Sequence, residues 1–174
     1  MAGIFAAHKE AALTMQQGGG VGCDFSTLRP RGSAVQTLGG TASGPVSFMH
    51  VWNTMCDTLL STGNRRGAMM ATLRCDHPNI EHYIGAKQNS SSLRNFNLSV
   101  LVTGTFTEAL AENDDWALVF PDVGNSSTGE FVLRTWPGYE GPVRCRVHRR
   151  LPARELWQSL MRATFDYAGA VLWR

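Results

Sequence analysis

Gln16-Gln17-Gly18-Gly19-Gly20-Val21-Gly22-Cys23-Asp24-Phe25-Ser26-Thr27-Leu28-Arg29-Pro30-Arg31-Gly32-Ser33 decides how the rest of the sequence is read. Four glycines in the five residues 18–22 leave a backbone almost bare of side chains. Such a backbone can take positive φ or approach a ligand closely. A basic segment follows at once, with Arg29 and Arg31 on either side of Pro30. Bare backbone suits a sugar or base, and a guanidinium suits a phosphate. A tight turn beside a solvated charged loop has the same composition, so the stretch alone leaves both readings open.

Upstream, residues 3–16 read as a helix, with Ile4, His8, Ala11 and Met15 on one face. Lys9 falls on another face, either as a solvated lysine or as a phosphate or ribose contact. Downstream, Leu38-Gly39-Gly40-Thr41-Ala42-Ser43-Gly44-Pro45 is too short for a linker and reads as a loop ordered by its neighbours. It is not a P-loop, because no Gly-Lys-Ser/Thr follows the glycines. Ser47 is placed to cap a helix over 48–61. Phe48, Val51, Trp52, Met55 and Leu59 give that helix one broad apolar face, which fits either a core or a subunit contact.

Asn64-Arg65-Arg66-Gly67 is a second basic loop, leading into a strand over Ala68–Leu73. Asp76 is placed to cap a helix with Pro78 in its first turn. Phe96, Leu98, Val100 and Val102 alternate with more polar neighbours, the pattern of a strand with one strongly apolar face. Thr105-x-x-Glu108 predicts a capping box for a helix over 106–112, and Ala117–Phe120 a short buried strand. Phe131–Leu133 and Val143–Val147 read as further strands, and Pro152 as the opening of a helix over 152–168. Strands alternating with helices predict an α/β fold with parallel pairing.

Composition bounds the function. Net charge is +2 from 16 basic and 14 acidic side chains, which is no footprint for non-specific nucleic-acid binding. No apolar run reaches the ~20 residues of a membrane span, and the N-terminus does not read as a signal peptide. Cys23, Cys56, Cys75 and Cys145 are scattered, which predicts free thiols in a reducing cytoplasm. Cys75 with His77, and Cys145 with His148, lack the second pair of a closed zinc site, so no metal is expected.

The blocks GGGVG-x-DFS-x-LRPRGS, GG-x-ASGPVSFM, NRRGAMMATLRCDHP and RNFNLSVLVT, in that order and spacing, resemble the large subunit of ribonucleotide reductase. The likeness is greatest to the adenosylcobalamin-dependent class; diiron-dependent reductases share the architecture. It implies that residues 1–174 are a single partial domain: an arc of a ten-stranded α/β barrel, with helices at a dimer contact. It further implies a ribonucleotide substrate against Gly19 and Gly20, and a deoxynucleotide effector at Arg29, with Lys9, Arg65 and Arg66 as further effector-side residues. The partners implied are a second copy of the subunit and the missing segments of the same reductase. In the family, one reducing cysteine lies upstream of the Gly-rich stretch, and the thiyl cysteine lies downstream in an Asn-x-Cys-x-Glu pattern that this sequence lacks. No catalytic residue is therefore assigned, and the chain alone is expected to be inactive. After Ala163–Ala168 the family continues Glu-Pro-Gly where this sequence has Gly169-Ala170-Val171, which predicts a split, truncated or frameshifted gene. The alternatives are a non-catalytic nucleotide-binding module and a gene remnant.

Overall fold

The computed structural model describes residues 1–35, 39–59, 69–87, 92–122, 124 and 128–167, and the backbone of 170–173. Helix α1 (Ala2–Gln16) buries Ala11 and Met15, with Ile4 packed beside them. It ends in paired backbone bonds from Gly18 N–H to the Met15 carbonyl (2.9 Å) and from Gly19 N–H to the Thr14 carbonyl (3.0 Å). Gly18 sits at φ +83°, and a Cβ on Gly19 would lie 2.8 Å from the Thr14 methyl. The helix stop thus demands glycine at both positions.

Four strands run parallel in the order β1-β4-β5-β9: β1 (Val21–Asp24), β4 (Met69–Arg74), β5 (Phe96–Val102) and β9 (Ala170–Trp173). Between β1 and β4 lie the two-residue strands β2 (Ala34–Val35) and β3 (Gly40–Thr41), paired antiparallel, and helix α2 (Pro45–Leu59). Helix α3 (Ile80–Ile84) joins β4 to β5. Parallel strands are covered on both faces, and β4 accordingly buries Met69, Ala71, Leu73 and Arg74. Trp52 of α2 stands edge-on to Phe25, and Phe25 edge-on to Phe96, which locks helix to sheet. The hydroxyl of the enclosed Tyr83 donates to the Ala71 carbonyl at 2.6 Å.

Between β5 and β9 the chain builds helix α4 (Gly104–Glu112), a second sheet and helix α5 (Ala153–Tyr167). Strands β6 (Asp115–Pro121), β7 (Phe131–Thr135) and β8 (Pro142–Pro152) pair antiparallel in the order β6-β8-β7. Its own small core is Ala117, Val119, Phe120, Trp136 and Cys145. The two sheets join at the end of β4. Buried Arg74 grips Asp76 through Nε (2.8 Å) and Nη2 (2.7 Å), and its guanidinium lies 4.6 Å above the Trp136 ring. Val119 N–H donates to the Asp76 carbonyl (2.7 Å), and Trp116 Nε1–H to the Cys75 carbonyl (3.1 Å).

Several expectations change. The fold is α/β, as the alternation of strands and helices predicts, with no closed barrel among the described residues, but its second sheet is antiparallel where parallel pairing is expected. Pro152 closes β8, and α5 opens at Ala153. Thr103, not Thr105, is the N-cap of α4, and no side-chain cap bond forms there. Ser47 lies inside α2, with Pro45 opening it, and Asp76 binds Arg74 while Asn79 precedes α3. Of the two readings open for the apolar face of α2, Trp52 takes the core one: it is 4% exposed, because the buried stripe of α2 runs through Val46, Met49, Asn53 and Cys56.

Candidate functional site

Strand β1 ends in a tight turn: Asp24 Oδ1 accepts from Ser26 N–H (3.0 Å) and from the Ser26 hydroxyl (2.6 Å). The Ser26 oxygen in turn accepts Arg74 N–H at 3.0 Å, fastening the turn to β4. The chain then enters the arginine loop, which is held from beneath by two side chains following β4. His77 Nε2 donates to the Leu28 carbonyl (3.0 Å), while its Nδ1 accepts Asn79 N–H (3.0 Å). Asn79 Oδ1 accepts Arg31 N–H (2.8 Å). This network fixes the ring as the Nε2–H tautomer. Burial drives the His77 pKa down to about 4, so the ring is neutral at pH 7 and keeps both roles. With both nitrogens committed to backbone groups, His77 has no lone pair for a metal beside Cys75.

The far side of the loop is equally fixed. Gly32 N–H donates to the Ala42 carbonyl (2.8 Å), and Ala42 N–H to the Ser33 carbonyl (2.8 Å). Gly44 sits at φ +86°, where a Cβ would lie 2.9 Å from that of Arg31, so only glycine fits. The backbone on both sides of Arg29 is therefore pinned, while its own side chain is exposed and, among the described residues, makes one long bond, Nη1 to the Ala34 carbonyl at 3.5 Å. It stands at a cavity of about 180 Å³, shared with Ser33, Asp122, Arg146 and His148.

The structure does not gather the other predicted residues around this cavity. Gly19 and Gly20 precede β1 and Arg29 follows it, and the four residues of β1 span about 13 Å. Lys9 is exposed on α1. Arg65 and Arg66 lie outside the described residues. Sequence reasoning missed Arg146 and His148. Their signal was the alternation of Arg144, Arg146 and His148 along one strand. It also missed a larger cavity of about 720 Å³ between the start of α4 and the end of β7, bordered by Arg74, Arg134 and Trp136.

The sequence that builds this α/β frame matches a known domain family. The sequence profile of the ribonucleotide reductase barrel domain covers residues 1–173, and the chain belongs to that family. It is 40% identical over 161 residues to a vitamin B12-dependent ribonucleoside-diphosphate reductase of Mycobacterium tuberculosis, which covers 92% of this chain and 20% of that relative. A Thermoplasma acidophilum protein of the same description is 36% identical over 159 residues, covering 91% of this chain and 18% of the relative. The ribonucleoside-diphosphate reductase subunit alpha of Helicobacter pylori is 26% identical over 171 residues, covering 94% of this chain and 22% of the relative. The chain thus spans about a fifth of the length of these relatives.

The vitamin B12 dependence of two relatives raises the question of whether the residues present fit such a cofactor. A thiol that exchanges a hydrogen atom with a cofactor-derived radical must touch it. Cys56, Cys75 and Cys145 are buried, and burial raises each thiol's pKa, to about 12 for Cys75 and about 11 for Cys145. Cys23 is half-buried, and burial raises its pKa too. The three buried thiols offer no open face to a corrin, and no step is assigned through the cofactor.

Proposed function

We propose that this chain is an early arc of the catalytic barrel of an adenosylcobalamin-dependent ribonucleotide reductase, forming a single partial domain that binds nucleotide without itself reacting. The observation that carries this reading is the pinned loop that presents the Arg29 side chain to a basic cavity. Fixing the backbone lowers the ordering cost of a charge-assisted phosphate contact. Arg29 holds the phosphates of a deoxynucleotide effector, with Arg65 and Arg66 carrying its identity toward the substrate and Lys9 on the same side. Gly19 and Gly20 lie against the ribose of the ribonucleotide substrate. Helices α1 and α2 form the contact with a second copy, through Phe5 (53% exposed), Leu13 (50%) and Val51 (39%). These three apolar side chains face water on the surfaces of the two helices. The radical chemistry, its cysteines and the corrin site belong to the remaining segments of the subunit, and the whole serves deoxynucleotide supply in the cytoplasm.

The test is reconstitution. The purified chain, given adenosylcobalamin, a dithiol and each ribonucleotide, yields no deoxynucleotide. Co-folded with the remaining segments of a reductase large subunit, it restores turnover. Turnover by the chain alone, lost on Cys→Ser substitution at one of its four cysteines, overturns the proposal. Nucleotide binding without restored turnover identifies the chain as a free-standing binding module, a reading favoured by the enclosure of three of its thiols.

A further inference from the structure

We propose that Arg146 and His148 of β8 complete the Arg29 site. The second sheet, and not the arginine loop alone, then grips the phosphate chain of the nucleotide. This inference rests on the effector reading of Arg29 and adds residues that reading does not contain.

The basic residues of β8 divide into two groups. Arg144 lies over the Phe131 ring at 3.5 Å, Arg149 pairs with Glu81, and Arg150 pairs with Glu130. Arg146 and His148 have no carboxylate partner among the described residues, and these two border the cavity with Arg29. The cavity therefore collects two guanidinium groups and an imidazole against one carboxylate, Asp122. Those charges come from three elements: the loop after β1, the end of β6, and β8. Two guanidinium charges against a single carboxylate leave an excess of positive charge, held at a cost that an anion removes.

The volume narrows the ligand further. About 180 Å³ is smaller than the roughly 300–1,000 Å³ of a pocket that encloses a whole drug-sized molecule. The cavity takes the phosphate chain and leaves sugar and base outside. Partial desolvation of the His148 ring, and secondly Arg146, lower its pKa in the empty site. The charged groups around it are Arg146 on its own strand, Arg29, Asp122 and, more distantly, His77. A phosphate set among them favours imidazolium, so binding takes up a proton and tightens as pH falls from 8 toward 6.

The experiment uses the full chain, inorganic tripolyphosphate as probe, calorimetry for affinity and NMR of the His148 ring for its protonation. Circular dichroism first establishes that each variant keeps the wild-type fold. Arg146→Gln and His148→Gln are each expected to weaken tripolyphosphate binding about tenfold or more. The His148 pKa rises when the probe binds. Arg146→Lys, which keeps the charge but not the fork, recovers part of the loss. If Arg29→Ala abolishes binding while Arg146→Gln and His148→Gln leave it unchanged, this inference is overturned and the Arg29 reading stands. If both β8 variants weaken tripolyphosphate binding but a deoxynucleoside triphosphate binds no tighter than the probe, the phosphate pocket stands and the effector reading fails. Absence of binding by the wild-type chain, or an unmoved His148 pKa, overturns the inference outright.

Discussion

The parallel sheet and strand β8 of the antiparallel sheet treat their arginines in opposite ways. In the parallel sheet, Arg74 is buried, held by Asp76 on one side and by the Trp136 ring on another. In the antiparallel sheet, strand β8 carries five basic side chains, all exposed. The first sheet is built around a large apolar core with its one arginine as a joint. The second has a core of five buried residues and presents charge outward. A ligand-binding surface needs a rigid base and an uncompensated charge. Neither sheet supplies both, and the candidate site lies where the two meet.

The largest effect should come from breaking the joint. Asp76→Ala leaves Arg74 charged, buried and alone. It is expected to cost about 3–5 kcal/mol in urea denaturation. Loss of under 1 kcal/mol would mean that the sheets are held together elsewhere. Acid should loosen the same region by a smaller amount. His77 has a folded pKa of about 4, below the ordinary value of 6.5, so between these values the unfolded chain binds a proton that the folded chain refuses. Stability contributed by neutral His77 is full above pH 6.5 and falls as pH drops toward 4, by about 1.4 kcal/mol per pH unit and about 3 kcal/mol in all. Denaturation midpoints across this range should show the slope, and His77→Gln should flatten it. An unchanged slope in that variant would assign the acid sensitivity to other groups.

The smallest effect on stability belongs to the outer faces of α1 and α2. Leu13→Glu and Val51→Glu change exposed side chains and should shift stability by no more than about 0.5 kcal/mol. If these faces form the subunit contact, light scattering of the reconstituted enzyme should nonetheless change from dimer to monomer. A dimer that persists in the double variant would move the contact to another surface.

Much of the parallel half was legible in the sequence. The apolar period along Phe96–Val102 marks β5, and the spacing of Ile4, His8, Ala11 and Met15 gives α1 its buried face. Those signals are local. The antiparallel pairing of β8 was not legible, because a strand's partner is set by chain segments distant in sequence. The sequence leaves the place of Trp52 open for a related reason. Phe48, Val51, Trp52, Met55 and Leu59 make an apolar face whichever way the helix is turned, and only packing against Phe25 and His8 shows which side is inside. Arg29 stands out as a candidate phosphate contact because Gly-rich backbone precedes it. Arg146 reads only as part of a strand, and His148 only beside Cys145 as an incomplete metal pair, since the cavity that gathers them with Arg29 exists only in three dimensions.

The central claim is that the loop pinned by His77 and Asn79 presents Arg29 to a nucleotide phosphate. Calorimetric titration of a deoxynucleoside triphosphate into the reconstituted enzyme, wild type and Arg29→Ala, tests it most directly. Loss of one charge-assisted contact should weaken binding about ten- to a hundredfold. Equal affinity in the two proteins would contradict the claim.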